Sequence, residues 1–370
     1  MALFHKVVFI LNLVALFALL FSYIASWISP ETFWPLAFFG LVYPALFFIN
    51  LVFVGYWLIF SRKKMLYSLV AILLGIGLIG RYVQLNDQKP EKELKQYSKI
   101  ITYNVHSYAR RNWKEKEGKS FTNQFISFFD AQDPDVLCLQ EHLAYGDTER
   151  KIREELRKET GLSHYYLKKY YNTHDKSQCL GIFSRYPIVS YGMDQMDWMG
   201  KERTFFIYGD IAFPQDTIRI YSVHLQSNYL DKEYVLFTET PDPVSAEYQQ
   251  KVKKNSISIA RKLKYAYQGR SEQSKALREH IRKSPYPVVV CGDFNDTPAS
   301  FAYGQINREL TDVYRESGSG NSRTYHGDFP SARIDYIFRG DHLESANTEV
   351  IQRNWSDHYP VVTHIKMKQD

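Results

Sequence analysis

Residues 285–300 read "PYPVVVCGDFNDTPAS". A run of three valines and a cysteine, suited to a buried strand, stops on Gly292, Asp293, Phe294, Asn295 and Asp296. A strand that merely ends in a turn would use the same residues, because Gly, Asn and Asp tolerate unusual backbone angles. The other strands of the chain decide between a turn and a site.

Several of them end on polar groups in the same way. "IITYN" closes on Asn104, and "VLCLQE" closes on Gln140 and Glu141. "IYSVHLQSN" carries His224 at the end of an apolar run. "RIDYIF" holds Asp335 inside one, and "NWSDHYPVV" sets Asp357 and His358 just before one. Taken singly, each has a plain alternative. Glu141 can be a solvated strand end, His224 a satisfied core histidine, and Asp335 the ion-pair partner of Arg333. Together they are the ingredients of metal-assisted attack on a phosphoester. A hard cation such as Mg²⁺ takes oxygen ligands and keeps several waters, which suits Glu141 with Asn104 and Asp357 nearby. An attacking water needs a carboxylate to align or deprotonate it, the place for Asp293. Charge growing on the phosphoryl oxygens needs donors, which Asn295, His224 and His358 supply, with Asp335 the natural partner of His358.

The series "TYNV", "LQEH", "GIFSRYPI", "VHLQS", "GDFND", "RIDYIF" and "SDHYPVV" resembles the endonuclease/exonuclease/phosphatase family, in order, over residues 99–368. The resemblance implies an α+β fold, a four-layer αββα sandwich of two packed mixed sheets flanked by helices. It implies metal binding (Mg²⁺, with Mn²⁺ an alternative) at Glu141 and Asn104, with Asp357 at the second carboxylate near the metal. It further implies water activation by Asp293, phosphate contact by Asn295, and a His358–Asp335 pair. His224 matches the deoxyribonuclease-like branch, which argues against a base-repair role. "NDT" at 295–297 and "NWS" at 354–356 fall inside these motifs and are by-products of them rather than glycan sites.

The strand and helix pattern is a mixture: about ten strands, with helices at 120–132, about 149–160 and 245–283, as two sheets packed with helices outside would require. Cys138, Cys179 and Cys291 all sit in apolar strand-like runs without metal-ligand spacing, so buried free thiols are expected. The chain carries +6 at neutral pH. Residues 1–89 account for +4 and the remaining residues for only +2, less than a dedicated nucleic-acid binder shows.

The first 85 residues are of another kind. Residues 7–28 and 33–60 contain no charge, and a third, shorter apolar stretch covers 65–80. About 20 apolar residues cross the hydrocarbon core as a helix, so three transmembrane helices are expected within residues 1–85, in contact with the bilayer over residues 7–83. Residues 86–98 read as a polar linker, and 99–370 as the catalytic domain. The basic "SRKK" at 61–64 pins its loop to the cytoplasm. Three crossings then put the catalytic domain on the extracytoplasmic side of the cell membrane, whereas two would leave it in the cytoplasm, so the orientation rests on the third stretch. The expected function is a membrane-anchored, metal-dependent phosphoesterase acting on a phosphodiester or phosphomonoester, with a lipid-linked substrate suited to its position. An extracytoplasmic nuclease is the alternative enzyme, nucleic acid being the less favoured substrate. A non-catalytic membrane-anchored binding domain is the rival of another class, opposed by the presence of every catalytic residue type. Specificity is expected from loops 107–119 and 228–247. The sequence does not set the oligomeric state.

Overall fold

The computed structural model describes residues 2–109, 115–143, 146–173, 176–198, 201–228, 246–327 and 332–368. Loop 228–247 and the centre of loop 107–119 therefore lie largely outside the described residues. The N-terminal region is helical: α1 (Ala2–Ile24), α2 (Pro30–Phe33), α3 (Pro35–Leu41), α4 (Tyr43–Phe60), α5 (Arg62–Leu74) and α6 (Ile76–Ile79). Helices α1 and α4 are long and apolar enough to cross a membrane.

The expected third crossing is not a third such helix. Helix α5 stops at Leu74, and only the four-residue α6 follows. The cause is local. The Tyr23 hydroxyl donates to the Ala71 carbonyl at 2.9 Å, the acceptor that the Gly75 N–H would use in a continuing helix. That N–H turns instead to the Ile72 carbonyl, as when an inserted side chain breaks a helical ladder. A Cβ at Gly75 would lie 2.1 Å from the Tyr23 ring, so only glycine fits. The 13 residues of α5 rise about 20 Å, short of the roughly 30 Å of hydrocarbon. Helix α5 folds back along α4 and α1, and a buried polar chain fixes the three in register. Trp57 Nε1 donates to Asn12 Oδ1 (3.0 Å), Asn12 Nδ2 to Ser68 Oγ (2.5 Å), and Ser68 Oγ to Asn50 Oδ1 (2.9 Å).

The remaining chain forms two six-stranded sheets and a short two-stranded one. Its strands are β1 (Val83–Leu85), β2 (Ser98–Asn104), β3 (Val136–Leu143), β4 (His164–Thr173), β5 (Lys176–Ser184), β6 (Ile188–Trp198), β7 (Lys201–Ala212), β8 (Thr217–His224), β9 (Val288–Asp293), β10 (Thr311–Asp312), β11 (Ser319–Asn321), β12 (Asp335–Arg339), β13 (Leu343–Val350) and β14 (Val361–Met367). One six-stranded sheet runs β13-β14-β2-β3-β5-β4 and the other β10-β12-β9-β8-β7-β6, while the two-stranded one pairs β1 with β11. The parallel pairs are β2 with β3 and β8 with β9, both near the sheet centres. Helices α7 (Glu91–Leu94), α8 (Glu115–Gln132), α9 (Gly146–Thr160), α10 (Ala246–Arg282), α11 (Phe301–Ile306) and α12 (Val313–Ser317) complete the domain. The apolar run 179–191 divides at Arg185–Pro187, and its two halves join different sheets as β5 and β6.

Both faces of each sheet are covered, so central strands read as continuous apolar runs rather than alternating ones. Ile100, Cys138, Ile182, Ile220, Cys291 and Ile337 meet between the sheets. Tyr103, Leu139, Phe125, Phe129 and Leu156 join one sheet to α8 and α9. Tyr221, Val290, Leu277, Tyr303 and Tyr336 join the other to α10 and α11. Residues 86–98 lie along the sandwich. Lys89 N donates to Asn347 Oδ1 (2.7 Å), and the Tyr97 hydroxyl donates to Glu344.

All three cysteines are free and buried. Burial pushes the Cys179 and Cys291 thiols up from their ordinary range, and the thiolate is the reactive form. The native protein should resist a bulky disulfide reagent until it unfolds; rapid native labelling would contradict the packing. A second expectation concerns acid. Burial lowers His142 to about 3 and, with Lys99, His364 to about 4. Both are neutral when folded and ordinary imidazoles, with pKa about 6.5, when unfolded. The unfolded state then binds more protons below pH of about 6.5, so stability falls as pH drops from there towards 4. Melting temperatures at pH 7, 5.5 and 4.5 should show this loss, and His142→Gln should flatten it.

Candidate active site

Side chains alternate along a strand, so the inward face of each strand is a row of every second residue. In β2 that row is Ile100, Thr102, Asn104; in β8 it is Ile220, Ser222, His224; in β9 it is Val289, Cys291, Asp293. In β12, running the other way, it is Asp335, Ile337. The first members of these rows are apolar core, and the last are the polar residues singled out in the sequence. Strand register puts these ends together, with His224 beside Asp293 and Asp293 opposite Asp335. Beneath the cleft, Gln140 Nε2 donates to Ser222 Oγ across the sheets (3.1 Å), and Thr102 Oγ1 donates to Gln140 Oε1 (3.3 Å).

Glu141 has the wrong parity for this row and reaches it by a bulge. The β3–β5 register slips between Leu139 and His142, and Glu141 takes φ 51°. A bulge of this kind re-aims one side chain. Asn104 Nδ2 then donates to Asp293 Oδ2 at 3.0 Å and stands 3.4 Å from Glu141 Oε1. His224 Nε2 lies 3.8 Å from Glu141 Oε1 and 3.6 Å from Asp293 Oδ2. Asn295, at φ 52°, donates its backbone N–H to Asp293 Oδ1 (2.7 Å), and its side chain donates to the Leu225 carbonyl (3.0 Å).

His358 sits between two carboxylates, with Nδ1 2.9 Å from Asp335 Oδ2 and Nε2 3.7 Å from Asp293 Oδ2. Burial opposes its charge, but Asp335 and Asp293 outweigh that and hold its pKa well above the ordinary value. Burial, then the neighbouring Asp335 charge, raises Asp293 to about 6. Burial alone would raise Asp357 too, yet the His106 hydrogen bond and the His358 charge hold it below the usual carboxylate range. Asp293, Asp335 and His358 also lie close enough to surround a cation. The short Nδ1 contact and raised pKa instead suit an imidazolium bridging two carboxylates.

All eight residues named from the sequence converge here. Two partners were not named there. His106 Nδ1 pairs with Asp357 Oδ1 at 2.8 Å, while its backbone N–H donates to Asn104 Oδ1 at 3.0 Å. Gln178 Nε2 donates to Glu141 Oε2 at 2.6 Å. His106 stands two residues beyond Asn104 and was open to notice; Gln178, a polar residue at a strand start, carries no signal of its own. Asn104, Glu141 and Asp357 can each offer a side-chain oxygen, the ligand type a hard divalent cation takes.

The sequence profile of the Endonuclease/Exonuclease/phosphatase family matches residues 101–358, and that of a domain of unknown function matches residues 5–82. The chain belongs to the endonuclease/exonuclease/phosphatase family, whose members are generally hydrolases of phosphoesters. The uncharacterized protein YbhP of Escherichia coli is 30% identical over 104 residues, which is 26% of this chain and 41% of that protein. The fold is similar to an endonuclease/exonuclease/phosphatase of Beutenbergia cavernae (18% identity, 74% of this chain and 72% of that one, TM-score 0.52). It is also similar to the human Nocturnin catalytic domain, solved with bound sulfate (16% identity, 76% and 97%, TM-score 0.50).

The His358 environment has a direct check. Asp335 is the leading source of the charge that keeps His358 protonated. Asp335→Asn should therefore shift the His358 ring titration, followed by NMR of labelled histidine, to lower pH. An unchanged titration would show that the pair is not electrostatically coupled.

Proposed function

We propose that the protein is a divalent-metal-dependent phosphoesterase anchored in a membrane by α1 and α4, hydrolysing a phosphodiester or phosphomonoester by attack of water. The observation that carries this reading is the convergence of Asn104, Glu141, His224, Asp293 and the His358–Asp335 pair at one end of both sheets. Asn104, Glu141 and Asp357 would hold Mg²⁺, or Mn²⁺, which supplies positive charge to the phosphoryl group. Gln178 fixes one Glu141 oxygen, and His106 fixes Asp357, as outer-shell partners orient ligands. Asp293 aligns the water and takes its proton. Its raised pKa of about 6 leaves it ionised at neutral pH and a fair base. His358 and His224 present N–H donors to the phosphoryl oxygens, and the second amide hydrogen of Asn295 is available for the same task. Asp335 keeps His358 charged and oriented.

One observation favours an anchored enzyme facing away from the cytoplasm. Lys6 and the Arg62–Lys64 cluster lie at the end of the α1–α4–α5 bundle remote from the sandwich, where Lys64 Nζ rests over the Phe9 and Trp57 rings, and the interrupted pair α5–α6, rather than one continuous spanning helix, carries the chain back from that end to the sandwich. Basic ends stay cytoplasmic. The near-balanced charge of the sandwich favours a lipid-linked phosphoester over nucleic acid, which is bound chiefly through basic groups. An extracytoplasmic nuclease is the second reading.

The test uses hydrolysis of bis-p-nitrophenyl phosphate by the full chain in detergent. Glu141→Ala and His358→Ala should each lose about 10²–10³-fold in rate, the usual loss for one preorganised group. The double variant should be little worse than the poorer single one, since the groups act as a unit. Raised Mg²⁺ should partly rescue Glu141→Ala and leave His358→Ala unchanged. Activity that persists in EDTA would remove the metal mechanism, and no activity with either Mg²⁺ or Mn²⁺ would leave a binding domain as the better reading. A reporter fused after Asp370 should register outside the cytoplasm; a cytoplasmic signal would reverse the orientation.

A further inference from the structure

The segment that completes the cleft also enters the helical bundle. Directly after Asn295, Asp296 is held by Arg270 of α10, whose Nε donates to Asp296 Oδ2 at 2.9 Å. Thr297 Oγ1 then donates to the Gly40 carbonyl at 3.3 Å, and Arg81 Nη1 donates to the Pro298 carbonyl at 2.6 Å. Ala299 is 1% exposed, buried in one cluster with Leu16, Leu19, Tyr43, Ala71 and Ile72 of the helical region. The seam is close. A Cβ at Gly40 would stand 3.0 Å from the Ala299 carbonyl oxygen, and one at Gly304 would stand 2.6 Å from the Ser26 carbonyl oxygen.

The seam leaves little slack. Just past Arg81, β1 pairs with β11, and Ser322 donates to the Tyr82 carbonyl. The Arg333 guanidinium is paired with Asp312 and donates to the Arg81 carbonyl at 2.9 Å. On the other flank Lys275 pairs with Glu31 at 2.9 Å, and Phe38 packs edge-on against Tyr267. A loose tether would let the cleft sample every height above a bilayer. This connection fixes one.

That height is set by chain length. Tyr23, Tyr43, Tyr82 and the exposed Trp27 gather at the sandwich end of the bundle, the residue types that mark a membrane–water interface. Asn295 is four residues from Ala299, so it lies within about 14 Å of the bundle's end. A headgroup layer is about 5–8 Å thick on each side of the hydrocarbon. The cleft therefore lies within a short reach of the layer that holds a lipid's phosphate.

Resting on the phosphoesterase reading, we propose that the seam formed by Gly40, Arg81, Thr297, Ala299 and Gly304 is a specificity determinant. It holds the cleft at headgroup height and selects phosphoesters whose other end stays anchored in the same bilayer. The reaction is hydrolysis. The water oxygen bonds to phosphorus, its proton passes to Asp293, and the leaving oxygen departs with the electron pair of the broken P–O bond.

The experiment compares one scissile bond in two settings. Hexadecyl p-nitrophenyl phosphate is placed in phosphatidylcholine vesicles carrying the full chain, and methyl p-nitrophenyl phosphate is supplied in solution. The wild type should cleave the anchored ester at least about tenfold faster at equal bulk concentration, as confinement raises effective concentration. Gly304→Leu should cut the anchored rate by about tenfold while the soluble rate stays within about twofold, because the seam and not the reacting groups has changed. Gly40→Ala, a milder intrusion at the same seam, should lie between them and keeps the test decisive if the leucine variant fails to fold. Anchored rates that survive in folded seam variants, or anchored and soluble rates that fall in parallel, would overturn the proposal. A wild type that cleaves the methyl ester with metal but shows no preference for the anchored one would overturn it while leaving the phosphoesterase reading intact. A wild type that cleaves neither would overturn that reading itself.

Discussion

Everything in this molecule depends on two sheets being buried on both faces. An inward row between packed sheets has no water, so its members must be apolar or fully bonded. Only at the end where solvent reaches can a row finish on charge. Because β2 and β3 run parallel, as do β8 and β9, their rows finish at the same end. The fold thus delivers polar residues from both sheets to one place. Gln140 and Ser222, bonded to each other across the gap, form the transition between dry core and wet cleft.

The same packing sustains a strained backbone around the cleft. Among the described residues, His106, Ser107, Tyr108, Glu141 and Asn295 have left-handed φ without being glycine. Such conformations cost on the order of 1–3 kcal/mol each and persist only when the surroundings over-determine them. Here the surroundings do so. Tyr108 is buried with its hydroxyl on His142, Glu141 is set by the bulge and Gln178, and Asn295 is tied to Asp293 and Leu225. Gly292 solves a related problem by size. At φ 144° it lies against β8, where a Cβ would come within 2.0 Å of the Val223 carbonyl oxygen.

How much could be read in advance follows from the range of each cause. The site residues were legible because strand ends carry them in short, local motifs. Buried strands were legible because burial on both faces writes itself as unbroken runs such as "PVVVC", but the four-layer sandwich followed only from the family resemblance of the motifs. The bulge at Glu141 was hidden, since nothing in "LQEH" announces a slipped register. So was Gln178, whose role exists only through Glu141. The third hydrophobic stretch was misjudged for a similar reason. Its composition suits a membrane, but a hydroxyl from Tyr23, some fifty residues away, takes the carbonyl its helix needs. Non-local hydrogen bonds of this kind leave no trace in a local pattern.

The helical region and the sandwich are each held in register by polar pairs inside apolar surroundings, and the two registers are not independent. Asn12, Asn50, Ser68 and Trp57 lock α1, α4 and α5 along their length. That lock places Leu16, Leu19, Ala71 and Ile72 where Ala299 is received. Between them runs the buried Arg333–Asp312 pair, with its donor to the Arg81 carbonyl. Removing one partner from a buried pair leaves an uncompensated charge and costs far more than the pair itself contributes. An apolar seam alone would tolerate small shifts of one body on the other. Adding directional bonds at Thr297, Pro298 and Arg81 removes that freedom at the residues that follow Asn295 in the chain.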